Sequence, residues 1–228
     1  PEEAITMAHM AAASGVTAIV ATPHFPGKSS SLQRIGPLMD RYDWLCRAVR
    51  AQRLPLKIYP GAEILCLPET SKTPDLAAEG RLPTISSTRY VLTEFFFDEP
   101  FSRMDDLLQS LSDCGYIPVV AHPERYNAIQ SDPKLLKRWH EKGYVLQLNK
   151  GSILGSFGPD PEEAAAAALQ MGLAHLIASD AHSPIRRTTD LTRLKEFLLD
   201  HYPQGYVRLL LEENPGRLIR GQAMAPTE

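Results

Sequence analysis

The sequence contains few cysteines and none of the spacings that cysteine chemistry requires. Its three cysteines, Cys46, Cys66 and Cys114, lie far apart in the chain and form no Cys-x-x-Cys pair. An odd number of widely spaced cysteines is typical of proteins that keep their thiols reduced. We therefore predict reduced thiols and a cytoplasmic location.

Long hydrophobic runs and clusters of basic charge are also missing. The longest apolar runs, such as AAAAAL at residues 164–169, are far too short to cross a bilayer. The chain carries 24 lysines and arginines against 27 aspartates and glutamates, a formal net charge of −3, and its basic residues form no stripe. Because a nucleic-acid-binding surface needs such a stripe, we expect no nucleic-acid partner and no direct membrane insertion.

What the sequence does contain is a regular alternation of apolar and amphipathic segments. Runs rich in β-branched and apolar residues predict strands, and apolar residues three or four apart predict helices. Six strands are predicted at residues 16–24, 56–64, 89–97, 116–123, 144–152 and 173–182. Helices are predicted at residues 1–15, 31–52, 103–115, 133–142, 161–171, 190–200 and 206–212, with an irregular segment from 65 to about 87 and ENPGRLIRG after the last helix.

This alternation predicts a single α/β domain over residues 1–228, built on a parallel sheet whose faces are covered by helices. A doubly wound sheet and a closed barrel both fit six strands. No glycine-rich phosphate-binding turn follows a strand, and TPHFPGKS, around the end of the first strand, has neither the Walker nor the GxGxxG spacing. This absence weakens the nucleotide-binding alternative and favours the barrel.

Polar residues are concentrated where the predicted strands end. These residues are His24, Glu63, Glu94, His122, Asn149, Asp180 and His182. The carboxyl ends of parallel strands meet at one edge of the fold, where binding and catalytic groups gather. Three histidines and three acids exceed the needs of one tetrahedral zinc and predict a site for two or more divalent ions. The alternative is a set of satisfied polar residues at a barrel mouth.

The other four histidines are predicted to have packing or surface roles. His9 and His140 lie within predicted helices, His175 lies near the start of a strand and His201 near the end of a helix. None of these positions is the end of a strand, so we do not expect metal binding there.

Seven short motifs, in order along the chain, resemble the PHP (polymerase and histidinol phosphatase) superfamily. They are ATPH, GAEI, LTEFFF, VVAHPERY, LNKGSILGSFG, ASDAHS and ENPGRLI. Within the superfamily, AHPERY and LQLNKGSILG resemble the manganese-dependent protein tyrosine phosphatases of bacterial capsule and exopolysaccharide gene clusters. The resemblance implies a distorted (β/α)7 TIM-like barrel with up to three Mn²⁺ ions at its carboxyl face.

The resemblance also implies a role for each polar residue. The implied metal ligands are His24, Glu63, Glu94, His122, Asp180 and His182. Among them, Glu63 bridges two metals, one of which is completed by Glu94 and His122. His24 and His182 hold another metal, and Asp180 holds the remaining one.

Two arginines are implied to act on the substrate. Arg125 and Arg187, with Arg186 as the alternative to Arg187, grip phosphate oxygens, a task that suits the fork of a guanidinium group. The implied reaction is hydrolysis of phosphotyrosine by metal-activated water. The implied partner is the tyrosine-rich tail of a membrane-anchored bacterial kinase of polysaccharide synthesis.

One motif of the family is missing. The family begins with a strand that bears His-x-His, and this chain contains no His-x-His. A barrel without that strand exposes two sheet edges. We therefore expect a segment upstream of Pro1 that supplies the strand and its ligands.

One phosphatase chemistry is excluded and three alternatives stay open. Cysteine phosphatases need Cys-x5-Arg, and the positions six residues after the three cysteines hold Gln52, Lys72 and Val120. The first alternative is a PHP phosphatase for a small phosphomonoester such as histidinol phosphate. The second is an amidohydrolase barrel, for which Lys150 is the nearest candidate for a carbamylated lysine. The third is a scaffold that binds little metal and has no catalytic activity.

Overall fold

Parallel β-strands form the centre of the fold. The computed structural model describes residues 2–26, 33, 35–66 and 72–227 of the chain. Its strands are β1 (Ala18–Ala21), β2 (His24–Phe25), β3 (Lys57–Pro60), β4 (Glu63–Leu65), β5 (Tyr90–Glu94), β6 (Ile117–Ala121), β7 (Val145–Asn149) and β8 (Leu176–Ala178). One sheet has the order β2-β4-β5-β6-β7-β8, β1 pairs with β3, and every pair is parallel.

β1 and β2 are two parts of one predicted strand, and so are β3 and β4. The pairs Ala18–Lys57 and His24–Glu63 keep the same register on either side of the interruption. Pro23 lies in the interruption and has no amide hydrogen to donate to a ladder. Its carbonyl accepts a hydrogen bond from the Glu63 amide (3.1 Å). The six predicted strands are confirmed, with the first two interrupted.

The order of the strands follows the order of the chain, as in a β/α barrel. A doubly wound sheet instead reverses its strand order at a switch point. Within the described residues, β1 pairs with β3 and β8 pairs with β7, and the sheet is open between β1 and β8. The predicted α/β class and parallel sheet are confirmed, and the strand order is that of barrel-like winding.

Helices occupy the connections between the strands. They are α1 (Glu2–Ala13), α2 (Ile35–Ala51), α3 (Thr73–Ala78), α4 (Phe101–Asp113), α5 (Asn127–Ser131), α6 (Leu136–Glu141), α7 (Lys150–Ile153), α8 (Pro159–Gln170), α9 (Thr192–His201), α10 (Gln204–Arg208) and α11 (Asn214–Ile219). A π turn at Leu209–Glu213 joins α10 to α11. The long helices lie within a few residues of their predicted positions. The first residues of the helix predicted at 31–52 lie outside the described ranges.

The sequence prediction misses the short helices α3, α5, α7 and α11, and several observed strands end earlier than predicted. α3 lies in the segment predicted to be irregular, and α11 lies in ENPGRLIRG. Six residues are too few to display a helical period. The fifth predicted strand ends at Asn149 instead of 152, because the Asn149 side chain accepts a hydrogen bond from the Gly151 amide (2.8 Å) and caps α7. β8 ends at Ala178, and Asp180 and His182 lie on the loop that follows.

Alternate strand residues face two different cores, as side chains do in any strand. The outer core, against the helices, contains Val91, Val120 and Leu146. The inner core contains Leu92, Val119 and Val145. Leu218 of α11 and Ile85 belong to this inner core. The carboxyl edge of the same inner face carries the candidate site.

Candidate active site

Two glutamates project from neighbouring strands at the carboxyl edge. Glu63 begins β4 and pairs in register with Leu92, whereas Glu94 ends β5 and pairs with Leu65. Glu94 faces the same side as Leu92 because side chains alternate along a strand. The two side chains are only 7% and 17% exposed. The sheet therefore holds two carboxylates side by side and largely out of water.

Two histidines contact both carboxylates. His24, which begins β2, places Nδ1 3.2 Å from Glu63 Oε2 and 3.6 Å from Glu94 Oε2. His122, one residue after β6, places Nε2 3.6 Å from Glu63 Oε1 and 3.4 Å from Glu94 Oε1. Each glutamate thus offers one oxygen to each imidazole. We call His24, Glu63, Glu94 and His122 the acid–histidine cluster.

His122 reaches the cluster through an unusual backbone conformation. Strand alternation would direct residue 122 toward the helices, as it directs Val120. The left-handed backbone of His122 (φ 34°) instead turns its side chain toward the glutamates. For a residue other than glycine this conformation costs on the order of 1–3 kcal/mol, and such strain is concentrated at functional sites.

The acid–histidine cluster attracts positive charge. Burial alone would lower the pKa of His122, but the contacts with Glu63 and Glu94 outweigh it and raise that pKa to about 9. Burial would raise the pKa of Glu94, and its contact with His122 reverses this and lowers it. Both shifts have the same cause, because the carboxylates stabilise positive charge on the imidazole that they contact.

Asp180, His182 and Arg187 lie on the loop after β8. Asp180 and Arg187 both have left-handed backbone, with φ of 47° and 52°. The Asp180 carboxylate accepts hydrogen bonds from the side-chain amide of Asn149 and from the Arg187 guanidinium. Nη1 of Arg125 lies 3.9 Å from Asp180 Oδ2, and Nδ1 of His182 lies 3.6 Å from Asp180 Oδ1. One carboxylate thus holds the loop and faces two guanidinium groups.

The loop and the acid–histidine cluster adjoin through their histidines. The ring centroids of His24 and His182 are 5.7 Å apart. All six predicted ligands and both predicted arginines therefore lie at the carboxyl edge of the sheet. Arg187 contacts Asp180, whereas its alternative Arg186 is exposed. The individual roles of these residues stay predictions.

Three residues of this edge were not predicted from the sequence. Phe97 and Phe157 lie against the Arg125 guanidinium, with ring centroids 4.3 and 4.4 Å from Cζ. Glu124 is fully buried and accepts a hydrogen bond from the backbone amide of Asn149 (3.0 Å). Burial raises the pKa of its carboxyl group. Phe97 ends LTEFFF, Glu124 belongs to AHPERY and Phe157 to LNKGSILGSFG, so all three lie in motifs that carry the family resemblance.

Lys150 secures the loop that carries Asp180 and Arg187. Its Nζ donates hydrogen bonds to the carbonyl oxygens of Thr188 (2.5 Å) and Asp190 (2.9 Å). Burial lowers the pKa of this ammonium group. Because Nζ is engaged by backbone carbonyls, Lys150 is unsuited to the carbamylated-lysine role of the amidohydrolase alternative.

The remaining histidines have the packing and surface roles that their positions predict. Nδ1 of His175 accepts a hydrogen bond from the Leu146 amide (3.1 Å), and its ring stacks on that of His140. His201 stacks on Phe197, and His9 is exposed on α1.

The donors of the acid–histidine cluster fit a divalent cation. One ligand atom each from His24, Glu63 and Glu94 lies within 4.8 Å of the others, and Nε2 of His122 faces both carboxylates. Imidazole nitrogen and carboxylate oxygen together suit Mn²⁺, Zn²⁺ and Fe²⁺. Nδ1 of the buried His122 has no hydrogen-bond partner in the described part of the chain. The geometry supports a metal site and leaves the kind of metal open.

The comparison with protein families identifies the chain. The model of the family described as capsular polysaccharide synthesis, CpsB/CapC, matches residues 1–220. The chain belongs to the CpsB/CapC family. The sequence resemblance to bacterial capsule tyrosine phosphatases is thereby confirmed.

Individual relatives agree with this assignment. The CpsB/CapC chain is 32% identical over 224 residues to tyrosine-protein phosphatase YwqE of Bacillus subtilis, covering 97% of this chain and 85% of YwqE. It is 34% identical over 196 residues to the putative tyrosine-protein phosphatase CapC of Staphylococcus aureus, covering 84% and 74%.

A solved structure resembles this one over nearly its whole length. It comes from work on YwqE of Bacillus subtilis and CpsB of Streptococcus pneumoniae, described there as unique metal-dependent tyrosine phosphatases. It aligns with a TM-score of 0.82 at 29% identity and covers 98% of this chain and 89% of its own. In the described residues of the CpsB/CapC chain, no helix has both the length and the hydropathy of a membrane span.

Proposed function

We propose that this CpsB/CapC chain is a metal-dependent protein tyrosine phosphatase, a phosphoric monoester hydrolase. The observation that carries the proposal is the position of the acid–histidine cluster beside Arg125 and Arg187. Groups that bind cations thus adjoin groups that bind phosphate, which is the arrangement that phosphate-ester hydrolysis needs. The activity named for YwqE and CapC supports the proposal.

The proposed cofactor is Mn²⁺, with up to three ions. Glu63 is suited to bridge two ions because its two oxygens face different imidazoles. Glu94 and His122 would complete one position, His24 and His182 a second, and Asp180 the third. When bound, such ions lower the pKa of coordinated water and offset charge on the phosphoryl oxygens.

Arg125 and Arg187 would bind the phosphoryl oxygens of the substrate. Burial and the charge of Arg187 lower the pKa of Arg125. Two neighbouring guanidinium groups of like charge favour an anion between them, and their paired donors match phosphate oxygens. The leaving tyrosinate has a pKa of about 10 and therefore needs less protonation than an alkyl alcohol.

The open edge of the site favours phosphotyrosine within a protein segment. The His24 side chain is 58% exposed, and Phe96 and Ile185 are 52% and 87% exposed. A small phosphomonoester is bound more tightly by an enclosed pocket. The proposed substrate is the tyrosine-rich tail of a membrane-anchored bacterial tyrosine kinase, and the proposed location of the enzyme is the cytoplasm.

Phosphate release from matched peptides tests this function. We expect the purified protein with Mn²⁺ to release phosphate from a phosphotyrosine peptide and to stop doing so when a chelator is added. The matched control is the same peptide with phosphoserine, which we expect to be a poor substrate. A small alkyl phosphate tests the alternative substrate class.

The outcomes separate the alternatives. Faster turnover of the alkyl phosphate than of the phosphotyrosine peptide would show that the substrate is a small phosphomonoester instead. Phosphate release that is equal with Mn²⁺ and with a chelator would refute metal dependence. A protein that binds Mn²⁺ and hydrolyses no phosphate ester would refute the phosphatase assignment.

A further inference from the structure

The guanidinium of Arg125 contacts two aromatic rings. Its Cζ is 4.3 Å from the centroid of Phe97 and 4.4 Å from that of Phe157. A guanidinium group over the face of a ring is attracted by the negative charge of that face. Two rings restrict its position more than one ring does, because movement away from either ring loses a contact.

Three glycines determine the position of Phe157. Gly155 and Gly158 have φ of +69° and +94°, conformations that side-chain-bearing residues rarely adopt. The ring also packs against the backbone of Gly151, where a Cβ atom would lie 2.5 Å from Phe157 Cε2. The GSFG turn and the glycine of α7 therefore place this ring against Arg125.

Arg125 and Arg187 repel each other. Burial and the charge of Arg187 lower the pKa of Arg125, and both guanidinium groups share one nearby carboxylate, Asp180. The Phe157 ring also lies 5.8 Å from Cζ of Arg187. Contacts with Phe157 thus oppose the separation of two like charges.

We propose that Phe157 is a positioning residue that holds Arg125 ready for the phosphate group. The proposal rests on the phosphatase function proposed above, because it assigns Arg125 to phosphate. Phe157 acts through Arg125, and no contact between Phe157 and substrate is required. Phe97 also contacts Arg125, but its ring is 6.1 Å from that of His122, so Phe157 gives the cleaner test.

Substitution of Phe157 tests the proposal by phosphate binding and by kinetics. We expect Phe157→Leu to weaken the binding of inorganic phosphate about fivefold to tenfold, measured by calorimetry with Mn²⁺ present. The KM for a phosphotyrosine peptide should rise by a similar factor, with a smaller change in kcat. Phe157→Tyr keeps the ring and should restore both values. Phe197→Leu is the matched control, because that ring stacks on His201.

Gly151→Ala provides an independent variant with Phe157 intact. Its Cβ displaces the Phe157 ring, so phosphate binding should weaken in the same direction. The same close contact crowds the ring, so the unfolding temperature should fall somewhat while unfolding stays cooperative. Weaker phosphate binding by a variant that is still folded at the assay temperature would separate positioning from folding.

A double variant decides whether Phe157 acts through Arg125. Lysine keeps the charge and lacks the planar fork that stacks on a ring. In an Arg125→Lys background, Phe157→Leu should therefore weaken phosphate binding less than about twofold. An equal loss in both backgrounds would overturn the proposal, and so would unchanged phosphate binding by Phe157→Leu alone.

Wild-type protein that binds phosphate without hydrolysing phosphotyrosine would refute the proposed function, while the binding series would still decide the role of Phe157.

Discussion

The inner and outer faces of the sheet each bury a histidine, and the two histidines have opposite surroundings. His122 is 1% exposed and faces two carboxylates, which raise its pKa to about 9. His175 is 8% exposed, and burial and the neighbouring His140 lower its pKa to about 4. The Leu146 amide donates to Nδ1 of His175, which therefore carries no proton there.

This difference separates a binding site from a packing site. A neutral histidine with a satisfied nitrogen needs nothing further from its surroundings. A buried pair of carboxylates is stable when a cation accompanies it. The same residue type thus serves the packing of one part of the fold and a cation site at the carboxyl edge.

The largest effect on catalysis should come from replacing His122. We expect His122→Asn to lower kcat/KM for a phosphotyrosine peptide about 1000-fold, because a proposed metal ligand is lost beside two glutamates. His175→Asn is the matched control and should stay within about twofold of wild type. Equal losses in the two variants would show that the comparison between them is wrong.

The next largest effect should come from the arginines beside the cluster. Arg187→Lys and Arg125→Lys should each lower kcat/KM about 100-fold, since an ammonium group cannot reproduce the two parallel hydrogen bonds of a guanidinium. Arg186→Lys is the matched control, as this residue is exposed. Steady-state kinetics measures all three. A larger loss of kcat/KM in Arg186→Lys than in Arg187→Lys would assign phosphate binding to Arg186 instead of Arg187.

The protonation of His175 should be visible in stability. A histidine whose pKa is lower in the folded protein than in the unfolded chain stabilises the fold fully above about pH 6.5, and this contribution is lost as the pH falls toward 4. At pH 5 the loss is about 2 kcal/mol relative to pH 7.5. Urea unfolding of wild type and His175→Asn should show it, because asparagine does not titrate.

His9→Asn is the control for this measurement, since His9 is exposed on α1. Its stability should follow the pH dependence of wild type. A pH dependence of His175→Asn that matches wild type would mean that His175 is not held neutral.

The smallest effect should come from the contacts that secure the loop. Lys150→Met removes hydrogen bonds to the carbonyls of Thr188 and Asp190. We expect kcat/KM to fall about threefold and the free energy of unfolding to fall by about 1 kcal/mol. The exposed Lys72→Met is the control. A loss as large as that of the arginine variants would indicate that Lys150 acts directly on the substrate and does more than secure the loop.

The sequence predicts the strands and their polar ends because both depend on local patterns. Glu63, Glu94 and Asn149 follow from apolar runs that stop at a polar residue, and the structure places all three at one edge. The short helices α3 and α11 are missed because each contains fewer than two turns.

The partners of Arg125 could not be predicted in the same way. Phe157 is 32 residues from Arg125 in the chain, and its position depends on turns with positive φ at Gly155 and Gly158. No periodic pattern predicts the left-handed conformation of His122 either, because this conformation interrupts the alternation of side chains along the strand. Local patterns predict which residues reach the edge, and tertiary contacts decide how they face one another.

Binding of Mn²⁺ tests the central claim, that the acid–histidine cluster holds a divalent cation. Calorimetry compares wild type with Glu63→Gln, which keeps the shape of the side chain and removes its charge. The exposed Glu79→Gln is the control. We predict that wild type and Glu79→Gln bind Mn²⁺ equally and that Glu63→Gln binds it at least about tenfold more weakly. Equal Mn²⁺ affinity in all three proteins, or no binding to wild type, would contradict the account.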